Sequence, residues 1–177
     1  PALLAALAAQ THRPRRILAV DAGSRDGTRA LLDAARHDGR VTEVVATPAG
    51  TFAAAVSAAL AAHPDALAPP PGRDWVWLLH DDAEPEPEAL RLLLARAVAD
   101  GVDAVAPLLV VPRRRAVGVL VAEAGQTVTR SGVVVGVVRP GVLDQGQLVP
   151  RPVLGASTCG LLVAADAWAA LGGLTAK

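Results

Sequence analysis

The chain of 177 residues is long enough for one ordinary domain, and 52% of it is apolar, mostly Ala, Val and Leu, so it can fill a sizeable core. Its formal net charge is zero and its basic residues are scattered, which excludes the electrostatic footprint of a nucleic-acid binder or a polybasic membrane anchor. The single cysteine, Cys159, excludes an internal disulfide framework and suits a reducing compartment, and no apolar run reaches the roughly 20 residues needed to span a bilayer.

Residues 2–10 read as a short helix with Leu3, Leu4 and Leu7 on one face, ended by Arg13-Pro14. Ile17 to Val20 is a continuous apolar run that stops at Asp21, the pattern of a strand buried on both faces. Gly23 and Gly27 bracket a turn, Asp26 can cap a helix over 28–37, and Gly39 stops that helix. Val41 to Ala46 reads as the next strand and Thr51 to Ala62 as an Ala-rich helix. Residues 63–74 form a Pro-rich surface loop, and Trp75 to Leu79 is another buried strand. A helix starting near Pro87 runs through Leu90, Leu93, Leu94 and Ala97, with Glu84, Glu86 and Glu88 near its positive end. Residues 102–111 contain a further strand.

This alternation predicts an α/β fold: an open, mostly parallel sheet with helices on its faces. After Pro112 the rhythm changes. Arg113-Arg114-Arg115 reads as a solvated loop, and residues 117–138 as short Val-rich strands broken by Gly118, Gly125, Gly132 and Gly136. A loop with Pro140, Gly141, Gly146 and Pro150 leads to GASTCGLLVAADAWAALGG, read as a loop, a strand at 161–164 and a short helix. The expectation is a single domain over 1–177, with an α/β part over 1–111 and a β-rich part over 112–177.

Ligands of open parallel sheets bind beyond the carboxyl ends of the strands. Two strands end there in acid, ILAVD at Asp21 and WVWLLHDD at Asp81 and Asp82. Adjacent carboxylates repel unless a cation lies beside them. A hard divalent ion, Mg²⁺ or Mn²⁺, held by one or two carboxylates plus phosphate oxygens relieves the repulsion, so the pair reads as a metal–diphosphate site. The competing reading is helix capping. It suits Glu84, Glu86 and Glu88, whereas Asp81 and Asp82 precede the helix by too much for direct capping. Asp21 carries either role on pattern alone.

Three segments together resemble the family-2 glycosyltransferases. ALAAQTHRPRRILAVDAGSRDGTRALL is similar to that family's helix ending in Gln-Thr, a strand, and an acid–Gly-Ser–Asp-Gly-Thr turn. LLHDDAEPEPEAL is similar to its Asp cluster with an acidic, proline-containing lead into a helix, and GASTCGLLVAADAWAALGGL to its downstream small-residue loop, strand, helix and Gly-Gly ending. The resemblance implies a GT-A fold and an inverting transfer of sugar from a nucleotide-diphosphate donor to a hydroxyl of a glycan or lipid-linked acceptor. It also implies a divalent metal, Mn²⁺ or Mg²⁺, on the diphosphate. Asp21, with the turn Gly23-Ser24, matches the acid on the nucleotide base. Gly50 matches a helix start near the nucleotide, Asp81 faces the ribose or sugar, and Asp82 takes the metal. Gly155, Ser157, Thr158 and Gly160 belong to the loop under donor sugar or acceptor.

The sequence departs from that pattern at Ala22, which stands where a second acid is usual, at Val56-Ser57 in place of Arg-Asn, and at His80 in place of the cluster's first acid. His80 is either a ligand or a neutral packing residue at the strand tip. The chain opens mid-pattern and has no Met, so a fragment is expected, with the family's first strand before Pro1 and its catalytic-base motif after Lys177. The setting implied is cytoplasmic, or the cytoplasmic domain of a membrane-associated protein of cell-envelope biosynthesis. The other reading is a degenerate, non-catalytic binding or assembly domain. A receiver-like domain is disfavoured because the only Lys is residue 177, and a dinucleotide-dependent oxidoreductase because no strand is followed by G-x-G-x-x-G.

Overall fold

The computed structural model describes residues 2–48, 50–67, 74–112 and 117–174. The run Arg113-Arg114-Arg115, residues 68–73 of the Pro-rich loop, and Lys177 lie outside them. The chain divides into two compact units, one of residues Pro1–Val76, Glu84–Leu92 and Val163–Lys177, the other of Trp77–Ala83 and Leu93–Leu162.

In the first unit, helix α1 (Ala2–Ala8) buries Leu4 and Leu7. Strand β1 (Leu18–Asp21), helix α2 (Thr28–His37) and strand β2 (Glu43–Ala46) form a β-α-β crossover. The two strands pair in parallel, from Leu18 opposite Glu43 to Asp21 opposite Ala46, as a helical connection between neighbouring strands requires. The ends of α2 are chemically set. Asp26 accepts the Thr28 N–H at 2.9 Å. At the other end Gly39, at φ 71°, lets the chain leave the helix while the Arg40 N–H bonds the Ala35 carbonyl. Ala35 is fully buried and packs with Leu4 and Val41, and Ile17, Ala19, Leu31 and Val44 pack around them. This is the core that holds β1 in place.

Helix α3 (Phe52–Ala62) is capped by Thr51, whose Oγ1 accepts the Ala54 N–H at 3.2 Å. A 3₁₀ turn, Pro64–Leu67, follows. Strand β3 (Trp75–Trp77) and helix α4 (Ala89–Asp100) come next, and each passes from one unit into the other. The expected start of α4 at Pro87 falls two residues early: the Ala89 N–H is met by the Glu86 carbonyl and the Leu90 N–H by the Gln10 side chain, and no Glu side chain among the described residues caps either.

In the second unit the chain forms β4 (Ala104–Val105), β5 (Leu109–Pro112), β6 (Val119–Glu123), β7 (Gln126–Val128), β8 (Val134–Gly136) and the start of β9 (Leu162–Ala164). The end of β3, the start of β9 and β4 lie in one sheet in the order β3-β9-β4. The pairs β5/β6 and β7/β8 are antiparallel. Helix α5 (Ala165–Leu171) returns to the first unit, where Trp168 is buried against Gly173.

The α/β class therefore holds, with strands and helices alternating through the first unit. The single, mostly parallel sheet is corrected: the described strands fall into four small sheets, with β1/β2 parallel and β5/β6 and β7/β8 antiparallel. The reason is connection length. Among the described residues only β1 and β2 of these pairs are joined by a helix. Residues 129–133 between β7 and β8 close a tight turn, with Gly132 bonded to Thr129, and so short a link can return the chain only antiparallel. Among the described residues no helix is long and apolar enough to cross a membrane.

Candidate functional site

The first unit carries the acid at the tip of β1. The strand's apolar residues are only half-buried, while Asp21 is 6% exposed, the reverse of the expected run. Its carboxylate is retained there because Oδ1 accepts the Ser24 N–H at 2.9 Å across a turn that Gly23 makes possible at φ 85°. The Ser24 side chain and backbone N–H hold the Asp21 carboxyl below the ordinary carboxylate range, helped by the Arg29 charge and opposed by burial. Asp21 is thus an ionised, oriented group at a strand end. Beside it the Thr47 N–H donates to the Asp21 carbonyl at 2.9 Å. The Thr47 hydroxyl is buried with no hydrogen-bond partner among the described residues. Gly50 stands next to the α3 cap, and a Cβ there would meet only ordinary contacts at 3.7 and 3.8 Å, so the backbone does not require glycine.

The second unit carries the acid pair. After β3 the buried Leu78 leads into a turn closed by the Ala83 N–H on the His80 carbonyl at 3.1 Å. Asp81 and Asp82 occupy its two central positions, and both are exposed. The turn is stapled to the loop at 155–160. His80 Nε2 lies 2.9 Å from Thr158 Oγ1, the Gly160 N–H donates to the Leu78 carbonyl at 2.8 Å, and the Trp77 indole N–H donates to the Gly160 carbonyl at 3.1 Å. Gly160 has φ 82°, and a Cβ there would lie 2.6 Å from Pro107 Cγ, so only glycine fits. Gly155 is held instead by the Gln126 backbone, through the Gln126 N–H on its carbonyl at 2.7 Å.

The parts that three residues play in these arrangements are not visible from the sequence motifs, although Gln10 itself belongs to the Gln-Thr pair of the first motif. Gln10 is buried at 3% exposure at the end of α1. Thr47 is the second. Glu123 is the third: its Oε1 accepts the Ser157 N–H at 2.6 Å, fastening the 155–160 loop from below. The available signal for Glu123 was a lone acid closing an otherwise apolar strand. The ladder shifts register at Leu109/Val110, where Glu123 is paired, and a bulge of that kind re-aims a side chain. Cys159 sits in the same loop. Burial, and then the charges of Asp82 and Glu123, push its thiol up, against a hydrogen bond from the His80 backbone.

The donor set bears on a metal. Among the described residues no group of three His, Cys, Asp or Glu side chains is gathered to hold an ion. Two neighbouring exposed carboxylates fit a cation that takes its remaining oxygens from a diphosphate and water, the usual habit of Mg²⁺, and not a cage built by protein alone.

A family model described as "Glycosyl transferase family 2" matches residues 1–116. The chain belongs to glycosyl transferase family 2. The match to this glycosyltransferase family takes in the Asp21 turn and the Asp81-Asp82 turn, and it ends before Glu123 and the 155–160 loop. Comparison with curated proteins and with solved structures gave no match.

Proposed function

We propose that the chain binds a nucleotide-diphosphate sugar and belongs to an inverting glycosyltransferase that passes the sugar to a hydroxyl of a glycan or lipid-linked acceptor. The observation that carries this reading is the exposed Asp81-Asp82 pair on a stapled turn in a family-2 chain. On this reading Asp82 holds Mn²⁺ or Mg²⁺ together with the diphosphate, and Asp81 takes the ribose or the sugar. Asp21, with Gly23 and Ser24, meets the base, and Gly50 lies at a helix start near the nucleotide. Gly155, Ser157, Thr158 and Gly160 line the donor sugar or acceptor. The cation, when bound, neutralises charge on the departing diphosphate. The acceptor oxygen forms its bond to the anomeric carbon as the bond to phosphate breaks, and a carboxylate base takes the hydroxyl proton. No described residue is assigned as that base. The setting we propose is the cytoplasmic side of cell-envelope assembly.

Titration of nucleotide-diphosphate sugars into the protein, with and without Mn²⁺, tests the reading. Mn²⁺ is expected to tighten binding about tenfold or more, and Asp82→Asn to remove that dependence. Donor binding that ignores both metal and Asp82→Asn sinks the metal assignment.

A degenerate binding domain is the second reading. Ala22 where the family has a second acid, and a His80 ring engaged with Thr158, favour it. Hydrolysis of the donor sugar by the full protein separates the two, since a domain without catalysis releases no sugar.

A further inference from the structure

His80, at the position where family members have an acid, raises the question of what replaces that acid. The second unit offers a continuous chain of contacts. Glu123 Oε1 takes the Ser157 N–H at 2.6 Å, and Ser157 Oγ takes the Cys159 N–H at 3.1 Å, which curls the loop tightly around Thr158. Thr158 Oγ1 in turn meets His80 Nε2 at 2.9 Å. The loop is tied to the same strand end on its far side, through Gly160 to Leu78 and Leu78 to the Leu161 carbonyl, both at 2.8 Å. His80 thereby has one ring nitrogen committed to a loop hydroxyl, and its carbonyl closes the turn that carries Asp81 and Asp82. A hydrogen bond to a charged acceptor is stronger than a neutral one, so the Glu123 contact is the firmest of the set. Glu123 and Thr158 both lie beyond the residues that the family model matches.

We propose that Glu123 and Thr158 are positioning residues: Glu123 sets the 155–160 loop, Thr158 pegs His80 by Nε2, and the peg fixes the turn that presents Asp81 and Asp82. His80 is then a strut and not a metal ligand. This rests on the donor-binding reading for its consequence in binding, though not for the peg itself.

Two measurements on the full protein decide the matter, with circular dichroism confirming that each variant is folded. The first needs no ligand: long-range ¹H–¹⁵N correlation of the His80 ring, with the backbone amides of Asp81 and Asp82. Thr158→Val and Glu123→Ala are expected to move all three sets of resonances, while Thr158→Ser and Glu123→Gln, which keep the hydroxyl and the acceptor oxygen, leave them near wild type. Resonances unmoved by Thr158→Val overturn the peg. The second is Mn²⁺ binding by electron paramagnetic resonance with whichever of UDP, GDP and dTDP binds best. Thr158→Val and Glu123→Ala are each expected to weaken the complex about tenfold, with the double variant little worse than either, as residues acting through one path require. Additive losses, unchanged affinity, or a ¹⁴N coupling showing an imidazole on the Mn²⁺ overturn the proposal. If wild type binds no Mn²⁺–nucleotide while the first measurement succeeds, the donor reading fails and the positioning of the turn stands.

Discussion

Gln10 Oε1 accepts the Leu90 N–H at 3.2 Å, so a side chain at the end of α1 caps the start of α4. Its amide nitrogen donates to the carbonyls of Glu86 at 2.8 Å and Ala6 at 3.2 Å, and the Thr11 N–H donates to the Pro87 carbonyl at 2.9 Å. The proline-containing lead before α4 is therefore strapped to the Gln-Thr pair by its backbone. Prolines suit such a strap, because they hold their φ and carry no N–H that would need a partner.

Replacing Gln10 by Ala leaves the buried Leu90 N–H without its acceptor and the Ala6 carbonyl without its side-chain donor, while the Glu86 carbonyl keeps the Ala89 N–H, and a stranded buried group costs about 1–3 kcal/mol. Gln10→Ala is expected to lower unfolding stability by about 2–4 kcal/mol, read as a lower denaturation midpoint at unchanged m-value. Gln10→Glu keeps the acceptor but turns a carboxylate toward carbonyl oxygens, so it is expected to destabilise as well. A midpoint indistinguishable from wild type in both variants would refute the strap.

Asp21 gives a pH signature. Its folded carboxyl titrates below the ordinary value, so around that pH the unfolded chain binds more protons than the native one. The stabilisation is fully present above about pH 3.9 and is lost as pH falls through the lowered folded value. Wild type is expected to exceed Asp21→Asn in thermal stability at pH 6–7, and the two melting curves to converge on acidification. A gap that persists unchanged at low pH would show that the carboxylate charge is not the source.

Thr47 carries the opposite expectation. Its buried hydroxyl is without a partner among the described residues, and such a group costs about 1–3 kcal/mol. Val has nearly the same shape without the polar atom. Thr47→Val is expected to raise stability by about 1 kcal/mol, and calorimetry of the free protein checks it.

Cys159 should behave as a quiet thiol. Burial and the nearby Asp82 and Glu123 charges raise it, so the thiolate that reacts is scarce at neutral pH. Alkylation by iodoacetamide at pH 8 is expected to be at least about tenfold slower in the native protein than in urea. Because the folded thiol titrates higher than the unfolded one, its share of stability is present below the ordinary thiol value and is lost as pH rises past it.

Elements whose signal is local were legible in the sequence. Helix α2 falls on 28–37 because Asp26, Leu31, Leu32, Ala35 and Gly39 each carry cap or face information within a few residues. The acids at the ends of β1 and after β3 were legible for the same reason: a polar stop after an apolar run is a short-range pattern. What was not legible depends on partners distant in sequence. Gln10 caps a helix 80 residues on, and Glu123 holds a loop 34 residues on. A single Gln or Glu carries no periodicity that names its partner. The sheet pairing failed on the same ground, since alternation of helix and strand fixes the pairing of β1 with β2 but not that of strands after Pro112.

The two glycines that bound the GASTCG loop separate a backbone requirement from a mere preference. Gly160 combines φ 82° with a Cβ position 2.6 Å from Pro107 Cγ, so Gly160→Ala incurs both left-handed strain and overlap. Gly155 has only ordinary contacts, with Gln126 at 3.6 Å. Gly160→Ala is expected to cost about 2–4 kcal/mol, and Gly155→Ala less than about 1 kcal/mol, since Ala there also restricts the unfolded chain. Adding Pro107→Ala to Gly160→Ala removes the overlap and leaves the strain, so it should return part of the loss and not all of it. Chemical denaturation of the three variants reads this directly. Equal costs at 155 and 160 would mean that the close approach to Pro107 does not constrain the loop, and its hydrogen bonds to Leu78, Trp77, His80 and Glu123 would then have to hold it.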